Sequence, residues 1–119
     1  MNARQVLIVD DNLNYAENIA EILQIDGHTT RLAASAEEAF PGGLGEEPDV
    51  IVTDYRLPGV NGAAFIKRFR ETNTHFRAMV ISAYTDATTI DAATDAGATF
   101  MAKPVDFALL GRWVRGSSA

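Results

Sequence analysis

Apolar residues recur along this chain in two rhythms, and the alternation between them predicts the fold. VLIV at 6–9 is a short unbroken apolar run of the kind that forms a buried strand. After it, Ala16, Ile19, Ala20 and Leu23 fall at i, i+3, i+4 and i+7. That spacing predicts a helix over 13–26, with Gly27 placed to end it. HTTRLA at 28–33 is β-branched but more polar, and suits a shorter, more exposed strand. Ser35 and Glu38 stand at capping-box spacing and open a second helix. The Pro and three Gly of PGGLGEEP at 41–48 keep that helix short. DVIVT at 49–53 is a second strongly buried strand, running into Asp54.

LPGVNG at 57–62 is turn chemistry, and Gly62, Phe65, Ile66 and Phe69 then trace another helical stripe. AMVIS at 78–82 predicts a buried strand that ends on Ser82. Residues 85–96 give a weak helical pattern, because Thr and Asp have low helix propensity, and Gly97 closes it. ATFMA at 98–102 is the fifth strand and leads into Lys103 and Pro104. Asp106 caps a last helix ending near Arg115, and GSSA at 116–119 is a tail. Five strand–helix units in alternation imply an α/β domain: a doubly wound, five-stranded parallel sheet with helices on both faces. The chain reads as a single domain over 1–119 with an ordered core of about 4–115.

Composition narrows the function more than the fold. With no Cys, disulfides, thiolate metal sites and Cys nucleophiles are excluded. No apolar run approaches the ~18 residues of a membrane span. MNARQ at the start carries no signal-like apolar segment, so a cytoplasmic location away from the membrane is expected. A net charge of −6 argues against direct nucleic-acid binding by this domain, since phosphate binding is mainly electrostatic. His28 and His75 are isolated, are expected at the surface and receive no role.

The chemistry gathers where the strands end. In an open parallel sheet, ligands bind outside the carboxyl ends of the strands, near a switch in strand order. Here the first strand ends in Asp10 and Asp11, the third in Asp54, the fourth in Ser82 and Ala83, and the fifth in Lys103 and Pro104. Asp11 or Asn12 is also placed to cap the first helix. Three carboxylates gathered at one edge need a cation, and Lys103 alone cannot neutralise them. Mg²⁺ fits an oxygen-only set of one or two carboxylates that leaves room for waters and a phosphate. The absence of thiolate and nearby His argues against zinc or copper, and the spacing is not that of a calcium loop. A carboxylate, a hydroxyl and an ammonium around one point suit phosphoryl transfer, with a carboxylate as nucleophile.

These residues carry a resemblance. The apolar run into Asp10–Asp11, the segment DYRLPGVNG at 54–62, the Ser82–Ala83 pair and Lys103–Pro104 stand in order, each at a strand end. Together they resemble the response-regulator receiver domain of two-component signalling, over roughly residues 4–115. The resemblance implies a chemotaxis-regulator-like, flavodoxin-like fold. It implies Asp54 as phosphoacceptor, Asp11 as a direct Mg²⁺ ligand, Asp10 as a carboxylate acting through water, and the Arg56 backbone carbonyl as a further ligand. Ser82 and Lys103 would contact the phosphoryl group, Phe100 would be the switch aromatic, and the bond before Pro104 would be cis. The implied donor is a histidine kinase or histidine phosphotransfer protein. The implied output is a change in partner binding or homodimerisation through the face built from the fourth helix, fifth strand and fifth helix.

Three departures from the family pattern stand out. PGG interrupts the second helix, so residues 40–48 are expected to be mobile. Arg56 is large and charged at a position that tunes phosphoryl lifetime, and Tyr84, two residues beyond Ser82, is bulky enough to share in that shielding. Phe100 lacks the hydroxyl of the Tyr found in many members. In the last helix Phe107, Leu110 and Val114 should face the sheet, while Leu109 and Trp113 form a neighbouring stripe that either packs or serves as a contact surface.

Competing readings are a phosphatase of the haloacid dehalogenase type, a phosphate-independent pseudo-receiver, and a flavin-binding sheet. The first needs carboxylates at D-x-D spacing on the first strand, whereas Asp10 and Asp11 are adjacent. The complete acidic set with Lys103 speaks against the second, and two carboxylates where a phosphate loop should lie speak against the third.

Overall fold

The computed structural model describes residues 3–39, 48–72 and 75–116. Within them the chain alternates as β1 (Gln5–Val9), α1 (Leu13–Ile25), β2 (Thr29–Ala33), α2 (Ala36–Ala39), β3 (Val50–Asp54), α3 (Gly62–Arg70), β4 (Arg77–Ser82), α4 (Ala87–Asp95), β5 (Thr99–Ala102) and α5 (Phe107–Arg115). All neighbouring strands run parallel, in the order β2-β1-β3-β4-β5. The order reverses at β1, whose neighbours are β2 and β3, and this places a switch point between the ends of β1 and β3.

Strand side chains alternate between two apolar layers. Val6, Ile8, Val50, Val52, Met79 and Ile81 pack with Ala16, Ile19 and Leu23 of α1 and with Leu110 and Val114 of α5. Leu7, Val9, Ile51 and Val80 pack on the other face with Phe65, Ile66 and Phe69 of α3 and with Ala93 of α4. The period-2 pattern of the strands meets the 3.6-residue stripes of the helices on both faces, so the central strands β1, β3 and β4 are buried on both sides along almost their whole length. None of the described helices is long and apolar enough to cross a membrane.

Local signals explain the helix starts. Asn12, rather than Asp11, caps α1, its Oδ1 accepting the Tyr15 N–H at 3.2 Å. Ser35 Oγ accepts the Glu38 N–H at 3.2 Å, and Glu38 reaches back to the Ala34 N–H at 2.9 Å, one residue earlier than in an ideal capping box. Asp106 accepts from the N–H groups of Ala108 and Leu109. The weak pattern at 85–96 does form a helix, with its small residues Thr89 and Ala93 buried against the sheet. The expectation for 40–48 lies outside the described residues except at Pro48, as does the tail beyond Gly116.

One expectation is corrected. His28 is 5% exposed and not at the surface: its Nδ1 accepts the Arg4 N–H at 3.0 Å as the chain enters β2 beside β1. Burial lowers its pKa, with Asp26 pulling it up and Arg4 and Arg115 adding to the fall. Leu109 and Trp113, for which the sequence leaves packing and a contact surface both open, differ in exposure. Leu109 is open to solvent, but Trp113 is half-buried against the α1/α5 layer, with the Arg77 guanidinium 4.5 Å from its ring centroid. Arg77 and Arg4 also donate to the last carbonyls of α5, those of Val114 and Arg115, each at 2.8 Å. Arg115 itself pairs with Asp26 at 3.1 Å. These contacts satisfy groups that a helix end leaves open and tie the end of α5 to the residue before β1, to β4 and to the end of α1.

Candidate phosphoryl site

The strand ends bring Asp10, Asp11 and Asp54 together, with one carboxylate oxygen of each within 4.8 Å of the others. Asp10 follows β1 directly and is fully buried; its N–H donates to the Ala33 carbonyl at 3.0 Å, continuing the β1–β2 ladder. Its Oδ1 accepts the Asn12 N–H at 2.9 Å, which ties the carboxylate to the turn that opens α1. Asp11 points to solvent. Asp54 is the last residue of β3 and is 8% exposed.

Lys103 reaches the same point from β5. Its backbone N–H donates to the Ser82 carbonyl at 2.9 Å, and the Lys103–Pro104 peptide is cis. The ammonium lies 3.3 Å from Asp54 Oδ2 and 3.4 Å from Asp10 Oδ2. One cation against three carboxylates leaves the cluster negative. Burial raises the pKa of Asp54, and the neighbouring Asp10 charge raises it further; Lys103 and the Arg56 backbone N–H pull it back. Burial works against the Lys103 ammonium, but Asp54 and Asp10 outweigh it and its pKa rises.

The loop after β3 is built around a close backbone approach. The Gly62 N–H donates to the Tyr55 carbonyl at 2.8 Å, and a Cβ at Gly62 would collide with the Asp54 carbonyl oxygen. That oxygen already accepts the Thr53 hydroxyl at 3.0 Å. Only glycine lets the start of α3 lie this close to the end of β3. Asn61 then caps α3 through the Ala64 N–H at 2.8 Å.

Ser82 ends β4, one position beyond Ile81, the register partner of Asp54. Its hydroxyl is buried and accepts the Tyr84 N–H at 2.9 Å, which leaves its own proton to donate. Arg56 and Tyr84, read from sequence as separate bulky neighbours, are stacked: the guanidinium lies 4.5 Å from the ring centroid. The stack bridges the loop after β3 and the loop after β4. Phe100 is not at the strand-end cluster. It lies inside β5 opposite Val80, half-buried against the α3/α4 layer. Tyr15 was not singled out by sequence reasoning, yet Lys103 Nζ lies 4.5 Å from its ring centroid and its hydroxyl accepts the Val105 N–H. The available signal was an aromatic with a polar tip beside the apolar stripe of α1.

Comparison with known proteins matches residues 6–115 to the response regulator receiver domain family. A response regulator receiver protein of Anaeromyxobacter is 36% identical over 103 residues, which cover 86% of this chain and 43% of that protein. Sporulation initiation phosphotransferase F of Bacillus subtilis is 30% identical over 107 residues, covering 89% of this chain and 86% of that protein. The chain thus spans less than half of the first of these relatives and most of the second. A CheY-like receiver domain structure from Methanospirillum hungatei superposes with a TM-score of 0.88 at 22% identity, covering 96% of this chain and 92% of that one, a likeness of fold.

Proposed function

The chain belongs to the response regulator receiver domain family, and on that premise we propose that it is a phosphorylation-controlled signalling switch whose phosphoacceptor is Asp54. The observation that carries the reading is the shared contact of Lys103 with Asp54 and Asp10 at 3.3 and 3.4 Å, inside a cluster of three carboxylates. Such a crowded acidic site has its natural use with a divalent cation and an incoming phosphoryl group.

The donor set is oxygen-only, as Mg²⁺ prefers, and its oxygens are close enough to share one ion. Asp10, Asp11 and Asp54, with the Arg56 backbone carbonyl, would hold it, Asp10 acting through water. When bound, the ion neutralises charge on the phosphoryl oxygens. An Asp54 carboxylate oxygen attacks the phosphorus of a phosphohistidine. The new O–P bond forms as the N–P bond breaks, and the imidazole leaves with the electron pair and takes up a proton. Lys103 follows one phosphoryl oxygen, and Ser82 donates its hydroxyl proton to another. Drawing Ser82 toward the phosphoryl group pulls on Tyr84 through that N–H bond, shifts the loop after β4 and biases Phe100 inward.

The phosphohistidine belongs to a histidine kinase or to a histidine phosphotransfer protein. The phosphotransferase name of the Bacillus relative supports a relay role. Output passes through α4, β5 and α5, by partner binding or a phosphorylation-dependent homodimer. The Arg56–Tyr84 stack stands beside the acceptor and limits the approach of water, which prolongs the aspartyl-phosphate.

The test is incubation with Mg²⁺ and acetyl phosphate, followed by mass spectrometry. One phosphoryl group should appear on Asp54, and EDTA should abolish it. Labelling that persists unchanged in Asp54→Asn would exclude Asp54 as the acceptor.

A further inference from the structure

Lys103 has a neighbour beyond its two carboxylates. The Tyr15 ring centroid lies 4.5 Å from its Nζ, and the Tyr15 hydroxyl accepts the Val105 N–H at 3.0 Å. One side chain of α1 therefore meets both the ammonium and the backbone two residues farther on, across a separation of 90 residues in sequence. Tyr15 is itself fixed. Its N–H is held by the Asn12 cap, and Asn12 in turn donates its own N–H to Asp10. Its ring is half-buried against the α1/α5 layer.

A lysine side chain has many rotamers, and holding it in one costs conformational entropy. Asp10 and Asp54 attract the ammonium, but at 3.4 and 3.3 Å these are long contacts that fix its direction poorly. The aromatic face adds attraction through its quadrupole and excludes the ammonium from the space the ring fills. The hydroxyl acts separately. Val105 is buried, and Tyr15 gives its N–H the acceptor it needs where the chain leaves β5.

We propose that Tyr15 is a positioning residue for Lys103: it grips the Lys103–Val105 segment from α1 and keeps the ammonium over Asp54 and Asp10. Its effect on phosphotransfer rests on the reading of Asp54 as acceptor; the grip itself does not. The grip also makes the first turn of α1 a sensor of where Lys103 stands, since any travel of the ammonium must slide along or leave the ring.

Tyr15→Phe keeps the ring and removes the hydroxyl, and Tyr15→Leu removes both. By NMR, the upfield ring-current shift of the Lys103 Hε protons should persist in Tyr15→Phe and vanish in Tyr15→Leu. Exchange of the Val105 amide should quicken about five-fold in Tyr15→Phe, as for loss of one hydrogen bond. Phosphorylation by acetyl phosphate with Mg²⁺ should slow by about 3- to 10-fold in Tyr15→Leu, the combined loss of both contacts. In a Lys103→Ala background the same substitution should change the rate no further, because Tyr15 acts through Lys103. An equal effect in that background, or Lys103 shifts and Val105 exchange that ignore both variants, overturns the proposal. If wild-type protein takes no label at all, the acceptor assignment fails instead, and the shift and exchange measurements still decide the role of Tyr15.

Discussion

Asp54→Asn, measured without divalent cation, is expected to stabilise the folded domain even as it removes the proposed phosphoacceptor. The Asp54 carboxylate sits 3.3 Å from the Lys103 ammonium, an attraction of about 5 kcal/mol at an effective dielectric near 20. Asp10 lies within 4.8 Å and opposes it by about 3.5 kcal/mol or more on the same basis. Desolvation of a group only 8% exposed adds a penalty of a few kcal/mol and tips the balance against the charge. This agrees with the raised pKa of Asp54, whose largest cause is burial and whose second is Asp10. Asparagine keeps the shape and an oxygen for Lys103, and Asp10 still pairs the ammonium at 3.4 Å. A gain of about 1–2 kcal/mol at pH 7 follows, read as a higher midpoint in urea with EDTA present.

The sign is fixed by proton binding. A folded pKa above the unfolded value means that the folded chain holds this proton more tightly. The cost of the charge is therefore absent below about pH 3.9, grows as pH rises towards the raised folded value, and is complete above it. The advantage of Asp54→Asn should be full at neutral pH and close in acid. Mg²⁺ should then stabilise wild type more than the variant, because a ligand bound only by the folded state adds stability. An Asn variant that is equally or less stable at pH 7 in EDTA, with no change in the gap on acidification, refutes this account of the cluster.

Three further outcomes follow from the geometry. Replacing Arg56 by Asn and Tyr84 by Ala should speed decay of the aspartyl-phosphate, followed by loss of label after the donor is removed; the single variants should be coupled by about 0.5–1 kcal/mol, the value of an exposed cation–π pair, and additive rates or slower decay would deny the stack a role. Gly62→Ala should lose about 2–4 kcal/mol in urea unfolding, because the added carbon meets the Asp54 carbonyl and not a flexible side chain; a loss under about 0.5 kcal/mol would mean the loop yields freely. Trp113→Ala should cost about 2–3 kcal/mol through lost half-buried area and the Arg77 contact, and a variant that keeps full stability while losing self-association would restore Trp113 as a contact residue.

The strands and their polar ends were legible because VLIV, DVIVT and AMVIS are uninterrupted apolar runs that stop at charged or hydroxylic residues. Topology then carried Asp10, Asp54, Ser82 and Lys103 to one edge with no further information. Contacts made across long sequence separations by ordinary residues were not legible. Nothing local to Tyr15 names Val105 as its partner, and nothing local to His28 shows that the Arg4 backbone will cover it. Trp113 obeyed helical spacing, but its ring meets Arg77, a residue of β4 that nothing local to α5 names. Arg56 and Tyr84 were each visible as bulky neighbours of the site, whereas their stacking depends on how two loops approach.

The order of the strands has a mechanical consequence. β1 and β3, which present Asp10 and Asp54, each have a hydrogen-bonded strand on both sides, whereas β5, which presents Lys103, has β4 alone. Displacing either central strand would strain two ladders, while displacing β5 strains one. The carboxylates thus sit at strands braced from both sides and the ammonium beyond a strand braced from one. A pull on Lys103 should therefore displace that margin before it deforms the frame that holds the acidic pocket.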